Sequence, residues 1–181
     1  MKLRLLILII QMWLDILSYQ KLLRHITIMI KVNVLSEENS WLKKIKEKEK
    51  FFNQVCQYFP KKFKFLNKKV YFTLLLSNNK NIKILNKKFR QKDNHTDILS
   101  FPFGHKSKKL KEVYLGDIII SFNYINKPKN ISNDEFKKKT IQLFIHGFLH
   151  LLGYDHLKLH DYKKMLNEEQ KIFESVKKLL N

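Results

Sequence analysis

Residues 136–153, FKKKTIQLFIHGFLHLLG, constrain the fold more than any other stretch of this chain. Ile141, Leu143, Phe144, Ile145, Phe148, Leu149, Leu151 and Leu152 recur at helical spacing on most faces, so the second half of this helix must be buried. Ser132-Asn133-Asp134-Glu135 reads as a capping box that starts it. Gly153 can take the left-handed conformation that ends it, letting the chain double back. A helix buried this deeply cannot stand at the edge of a bundle; other elements have to be laid around it.

The preceding residues supply those elements. ITIMIKVNVL (26–35) is rich in β-branched residues and predicts a strand that ends at the polar turn SEEN. Residues 40–58 place Trp41, Leu42, Ile45, Phe51, Phe52 and Val55 at helical spacing, with Pro60 as the stop. VYFTLLL (70–76) predicts a buried strand, and SNNKNIKILNKKFR (77–90) a helix capped by Ser77. TDILSFPF (96–103) predicts a strand stopped by Pro102 and Gly104, HKSKKLKE an exposed loop, and YLGDIIIS (114–121) a further strand. The expected class is α+β: a single-layer mixed sheet of about four strands packed with helices, the buried helix at its centre. No internal repeat or linker divides the chain, which predicts one domain over residues 26–181.

Residues 1–25 stand apart from this pattern. They are almost continuously apolar from Leu3 to Leu17, interrupted by Arg4, Gln11 and Asp15. The run falls short of the roughly 20 residues needed to cross a bilayer. Lys2 and Arg4 precede it as in a signal peptide, but no small-residue cleavage site follows. An extension outside the folded domain is expected, and MIKVNVLSEENSW, from Met29, reads as the domain's natural opening.

The formal net charge is +20, which favours polyanionic partners such as RNA, DNA or acidic lipid. Much of it reflects composition: arginine occurs only at Arg4, Arg24 and Arg90, alanine is absent, and residues with A/T-rich codons abound. Many of the lysines are therefore solvated surface. The single cysteine, Cys56, precludes an internal disulfide, fits a reducing cytoplasm, and is expected to pack as a small hydrophobe.

Four of the seven histidines fall between residues 146 and 160. His146 and His150, at i and i+4, share one face of the buried helix. Beyond the turn at Gly153, His156 can return towards them. Catalytic zinc commonly takes three protein ligands and keeps a fourth position open, so His146, His150 and His156 are the candidate ligands for one Zn²⁺ per chain. His160 competes as a ligand but is expected to open the last helix, and His95 and His105 lie in polar loops. The spacing H-x-x-x-H-x-x-G-x-x-H also matches metzincin peptidases, which place a glutamate general base directly after the first histidine. Here that position is Gly147, which weakens the peptidase reading.

HGFLHLLGYDH resembles the signature of the YbeY family of metal-dependent endoribonucleases. LNKKFRQKDNHTDILSFPF (85–103) and YLGDIIIS resemble that family's other motifs, in the family's order, and the resemblance runs over about residues 29–175. It implies that His146, His150 and His156 hold zinc and that Arg90 faces the metal across a basic groove. It further implies a single-strand-specific, zinc-dependent endoribonuclease acting in 16S rRNA 3′-end maturation and ribosome quality control. Its partners would be small-subunit ribosomal RNA and the small ribosomal subunit with its proteins, not DNA or membrane.

Within that reading, Arg90 can grip a phosphate through two parallel hydrogen bonds, which lysine cannot imitate. The alternative is a surface arginine closing a helix. Asp155 is a candidate acceptor for a histidine N–H or a weak base, the alternative being a turn residue beside Gly153. Asp97, Ser100 and Asp117 lie in the matched motifs, the alternative being that they only fix strand ends. Two other functions stand beside the ribonuclease: a metallopeptidase, and a ribosome-assembly factor whose metal is structural.

Overall fold

The computed structural model describes residues 30–63, 69–104, 112–129 and 131–180. Strand β1 (Ile30–Ser36) leads through two short helices, α1 (Ser40–Lys44) and α2 (Lys48–Gln57), to β2 (Lys69–Ser77). Helix α3 (Asn79–Arg90) then precedes β3 (Ile98–Pro102) and β4 (Glu112–Ser121). A one-turn helix α4 (Phe122–Ile125), the central α5 (Asn133–Leu151) and α6 (Leu159–Val176) complete the order. The strands form one mixed sheet in the order β1-β2-β4-β3. β1 and β4 both run parallel to β2, while β3 pairs antiparallel with β4 and forms an edge. The α+β class expected from the sequence, a four-stranded mixed sheet packed with helices, is the observed one.

Alternation along the strands decides which layer each side chain joins. Val70, Phe72, Leu74, Leu76, Ile98, Ile118 and Ile120 face the main core with Phe136, Ile141, Phe144, Phe148 and Leu149 of α5. Leu75, Leu99, Phe101 and Ile119 point to the opposite face, where Ile82 and Leu85 of α3 cover them. Helix α5 is thereby enclosed between the sheet and the buried stripe Met165, Ile172 and Val176 of α6. Phe144 and Phe148 stand 5.7 Å from Phe72, ring centre to ring centre, and Phe52 and Phe59 close on them from the other side at 4.9 and 5.0 Å. Truncating one of these phenylalanines to alanine would cost about 3–5 kcal/mol.

Several boundaries differ from expectation for physical reasons. The helix expected over 40–58 is broken: Ile45 adopts an extended conformation and is buried, and a new helix starts at Lys48. Trp41 fixes the first piece by donating its Nε1–H to the Ser77 carbonyl at 3.0 Å in the core. Ser77 does not cap α3. It ends β2 and its hydroxyl donates to Glu37 Oε2 at 2.5 Å, while Asn78 accepts from the Asn81 amide and is the cap. The strand expected over 96–103 shortens to 98–102, because Asp97 Oδ1 accepts from the Ile98 amide and Thr96 lies in the turn before it. Ser132 caps α5 as expected, accepting from the Glu135 amide. Cys56 is fully buried and burial pushes its thiol up, the state of a packed hydrophobe rather than a nucleophile.

Register between β2 and β4 shifts after Tyr71, where Gly116 takes a φ of 131°. A Cβ at Gly116 would run into the Phe101 carbonyl oxygen, so this bulge requires glycine. The extension 1–25, the start of the strand expected over 26–35, His105 and the loop to Lys111 lie outside the described residues. Among those described, no helix is long and apolar enough to cross a membrane.

Candidate metal centre and cleft

The last turns of α5 carry His146 and His150 onto the same helical face, as their spacing requires. The helix then closes in a tight turn. Gly153 has a φ of 87°, its amide bonds the His150 carbonyl at 2.9 Å, and Tyr154 returns its amide to Leu149 at 3.0 Å. The doubled-back chain delivers His156. The rings of the three histidines lie 4.6, 5.4 and 5.0 Å apart by pairs, and one nitrogen from each falls within 4.8 Å of the others. Among the described residues this is the group of histidines, cysteines and carboxylates able to hold a metal ion. His160 sits exposed in the first turn of α6, outside the group, and His95 is an exposed loop residue.

The protonation pattern follows from the partners. The Tyr154 carbonyl can only accept, so the 2.9 Å contact from His150 Nδ1 puts a hydrogen on Nδ1 and leaves Nε2 bare. His146 Nδ1 lies 2.7 Å from Glu169 Oε1 on α6, which favours the same tautomer. Two bare nitrogens, the Nε2 atoms of His146 and His150, then face each other at 3.0 Å. Two lone pairs at that distance repel unless a proton or a cation lies between them. Nitrogens bound to one tetrahedral ion at about 2.0–2.1 Å stand roughly 3.3 Å apart, so the donor set fits a divalent ion. Burial of His150, and next the adjoining His146, hold the His150 imidazole below its ordinary value of 6.5, despite the opposing bond to Tyr154. It is therefore neutral and available as a ligand at neutral pH.

The histidines form one wall of a cleft of about 920 Å³. Arg90, Lys92, Thr96, Asp97 and Ser100 also line it. Arg90 is the last residue of α3. Gln91 ends that helix in the left-handed conformation, with a φ of 59°, and its amide bonds the Lys87 carbonyl. The buried Asn86 ties the following loop down, donating to the Asn94 carbonyl at 2.8 Å and to Asn94 Oδ1 at 3.0 Å. These two devices turn the chain so that Arg90 and Lys92 border the cleft.

Other candidates fare differently. Asp155 lines the cleft, but its Oδ1 accepts the His156 backbone amide at 2.7 Å rather than an imidazole proton. Asp117 accepts from the Tyr114 hydroxyl at 2.5 Å, a contact within the sheet. The carboxylate that reaches an imidazole, Glu169, was not foreseen. A signal existed: two adjacent glutamates interrupt the apolar stripe of α6 between Met165 and Ile172. Glu168 is buried and pairs with Lys62, while Glu169 turns to His146.

Gly147 explains why the glutamate of the peptidase pattern is absent. A Cβ at this position would lie 2.8 Å from Ile98 Cδ1, 2.9 Å from Ile118 Cγ2 and 3.1 Å from Ser100 Oγ. The residue after His146 therefore faces the sheet at close approach, and no carboxylate side chain fits there.

Residues 32–177 match the family described as Endoribonuclease YbeY. An Endoribonuclease YbeY from Pelagibacter ubique is 58% identical over 149 residues, covering 82% of this chain and 97% of the relative. Another from Fusobacterium nucleatum is 37% identical over 108 residues, 59% of this chain and 67% of that one. A solution structure from Thermotoga maritima aligns over 82% of this chain and 89% of its own, at 27% identity and a TM-score of 0.47. The family match takes in the sheet, the turn at Arg90 and all three histidines, and on that extent the chain belongs to the YbeY endoribonuclease family.

Proposed function

We propose that this protein is a zinc-dependent endoribonuclease that cleaves single-stranded RNA, with the 3′ end of small-subunit ribosomal RNA as its substrate. The observation that carries the reading is the convergence of three imidazoles in a cleft that Arg90 and Lys92 also line. We assign maturation and quality control of the small ribosomal subunit to it, in the cytoplasm, on the strength of the family.

His146, His150 and His156 would hold the ion. A zinc ion there would supply Lewis-acid chemistry, activating water and polarising a phosphoryl oxygen. The protein's own groups do the rest. Arg90 binds the scissile phosphate with its two-pronged guanidinium and offsets the charge that builds on the non-bridging oxygens. Lys92 adds a positive charge to the cleft. Asp155 holds the His156 turn by its backbone amide and offers a carboxylate at the cleft, where it can take up the proton released as the nucleophile attacks. A cleft open to solvent, with no need to read a duplex groove, suits a flexible single strand.

The peptidase reading lacks its base, because the position that should carry it is packed against Ile98 and Ile118. The test is metal content together with cleavage of a small-subunit rRNA 3′ fragment and of casein, each with and without chelator. RNA cleavage abolished by chelator and restored by zinc is expected, with casein intact. Bound metal without RNA cleavage would leave an assembly factor with a structural ion.

A further inference from the structure

Each ligand histidine has a different partner behind it. His150 is backed by a neutral carbonyl, Tyr154. His156 is exposed, and its ring has no hydrogen-bond partner among the described residues. His146 alone is backed by a carboxylate, Glu169 Oε1 at 2.7 Å from Nδ1, with both side chains about three-quarters shielded from solvent. The carboxylate comes from a different element, 23 residues further along, on a helix held by Met165, Ile172 and Val176. Its neighbour Glu168 anchors that helix to Lys62. The placement of Glu169 is therefore built by tertiary packing, not left to a mobile surface chain.

We propose that Glu169 is a positioning residue for the metal centre. It accepts the Nδ1 hydrogen of His146, holds the ring in that tautomer and at that angle, and so presents a bare Nε2 to the ion. Its negative charge also makes His146 the strongest donor of the three. The physical reason is that a carboxylate behind an imidazole disfavours the other tautomer and raises the electron density at the ligating nitrogen. The inference rests on the reading that these histidines bind a divalent ion, but the tautomer can be measured without one.

The experiment uses the full chain, metal-free, with wild type, Glu169→Gln and Glu169→Ala. Nitrogen-15 NMR of the imidazoles above the ordinary histidine pKa reports the tautomer of His146. Zinc titration against a competing chelator reports affinity, and thermal melting of the metal-free proteins reports fold. Wild type is expected to hold the hydrogen on Nδ1, and Glu169→Ala to shift His146 towards the Nε2-protonated form. Zinc affinity should fall by about 10–100-fold in Glu169→Ala. Glu169→Gln, whose amide oxygen still accepts but carries no charge, should keep the tautomer and lie between the two in affinity. A wild-type His146 protonated on Nε2 overturns the proposal outright, even if the alanine variant fails to fold. So does a folded Glu169→Ala with wild-type tautomer and affinity. If wild type binds no zinc yet shows the expected tautomers, the metal reading fails and the hydrogen-bond assignment stands.

Discussion

Gly147 packs against Ile118 so closely that a single added carbon would stand 2.9 Å from Ile118 Cγ2, with Ile98 Cδ1 at 2.8 Å on its other side. Helix α5 and the sheet meet at this point, one residue from His146. Two effects oppose each other in Gly147→Ala. Alanine's intrinsic helix advantage is about 1 kcal/mol, and overpacking costs about 1–3 kcal/mol. Ile98 Cδ1 can swing aside, but Ile118 Cγ2 sits on a β-branched stem that cannot. The net expectation is a loss of about 1 kcal/mol, read from urea unfolding. Gly147→Glu should lose far more and should not cleave casein, since its carboxylate would be forced against the sheet. A more stable Gly147→Ala would show that the interface has slack.

The ligand set is tested by elemental analysis of purified variants. His146→Ala, His150→Ala and His156→Ala should each lose bound metal, and His160→Ala should keep about one ion per chain, as three-ligand sites do. Retention by His156→Ala together with loss by His160→Ala would reverse the assignment.

Arg90 separates catalysis from RNA binding. Arg90→Lys keeps the charge and loses the fork. RNA affinity should change little, because the many remaining lysines supply the salt-dependent term. Single-turnover cleavage should fall by about two orders of magnitude, the scale of one lost transition-state donor. Metal content should not change. Wild-type cleavage in this variant would make Arg90 a helix-end residue only.

We propose that the folded unit begins near Met29 and that residues 1–28 are dispensable for it. The family match starts at residue 32. A chain starting at Met29 should express solubly, melt cooperatively and retain RNA cleavage. An insoluble or inactive product would show that the apolar run belongs to the domain.

Tyr114 gives a pH signature for the sheet. Burial, and then the hydrogen bond it donates to Asp117, push its hydroxyl up to about 12 from 10.0. The native state thus holds a proton that the unfolded chain releases earlier. The associated stability is complete below pH 10, and is lost as pH rises through 12. Titration of the ultraviolet tyrosinate band should show a late-titrating component from Tyr114, which Asp117→Asn brings down. An unchanged titration in Asp117→Asn would leave burial as the whole cause.

Local chemistry made much of this protein legible from its residues. The 3.6-residue period put His146 and His150 on one face, Gly153 announced the turn, and apolar runs announced the strands and the buried helix. Those features depend on neighbours a few positions away, and so they survive in a linear reading. Residue identity likewise named the three histidines as a candidate ligand set. What depends on distant segments did not survive in the same way. The helix broken at Ile45 is pinned by a tryptophan that bonds to Ser77, 36 residues on. The cap of α3 moved from Ser77 to Asn78 because Glu37, 40 residues back, claims the Ser77 hydroxyl. The carboxylate behind His146 is Glu169 rather than the nearby Asp155, because docking of α6 brings the first into reach while the turn ties the second to a backbone amide. Spacing along the chain decides which side chains share a face; only packing between elements decides which partners stand behind them.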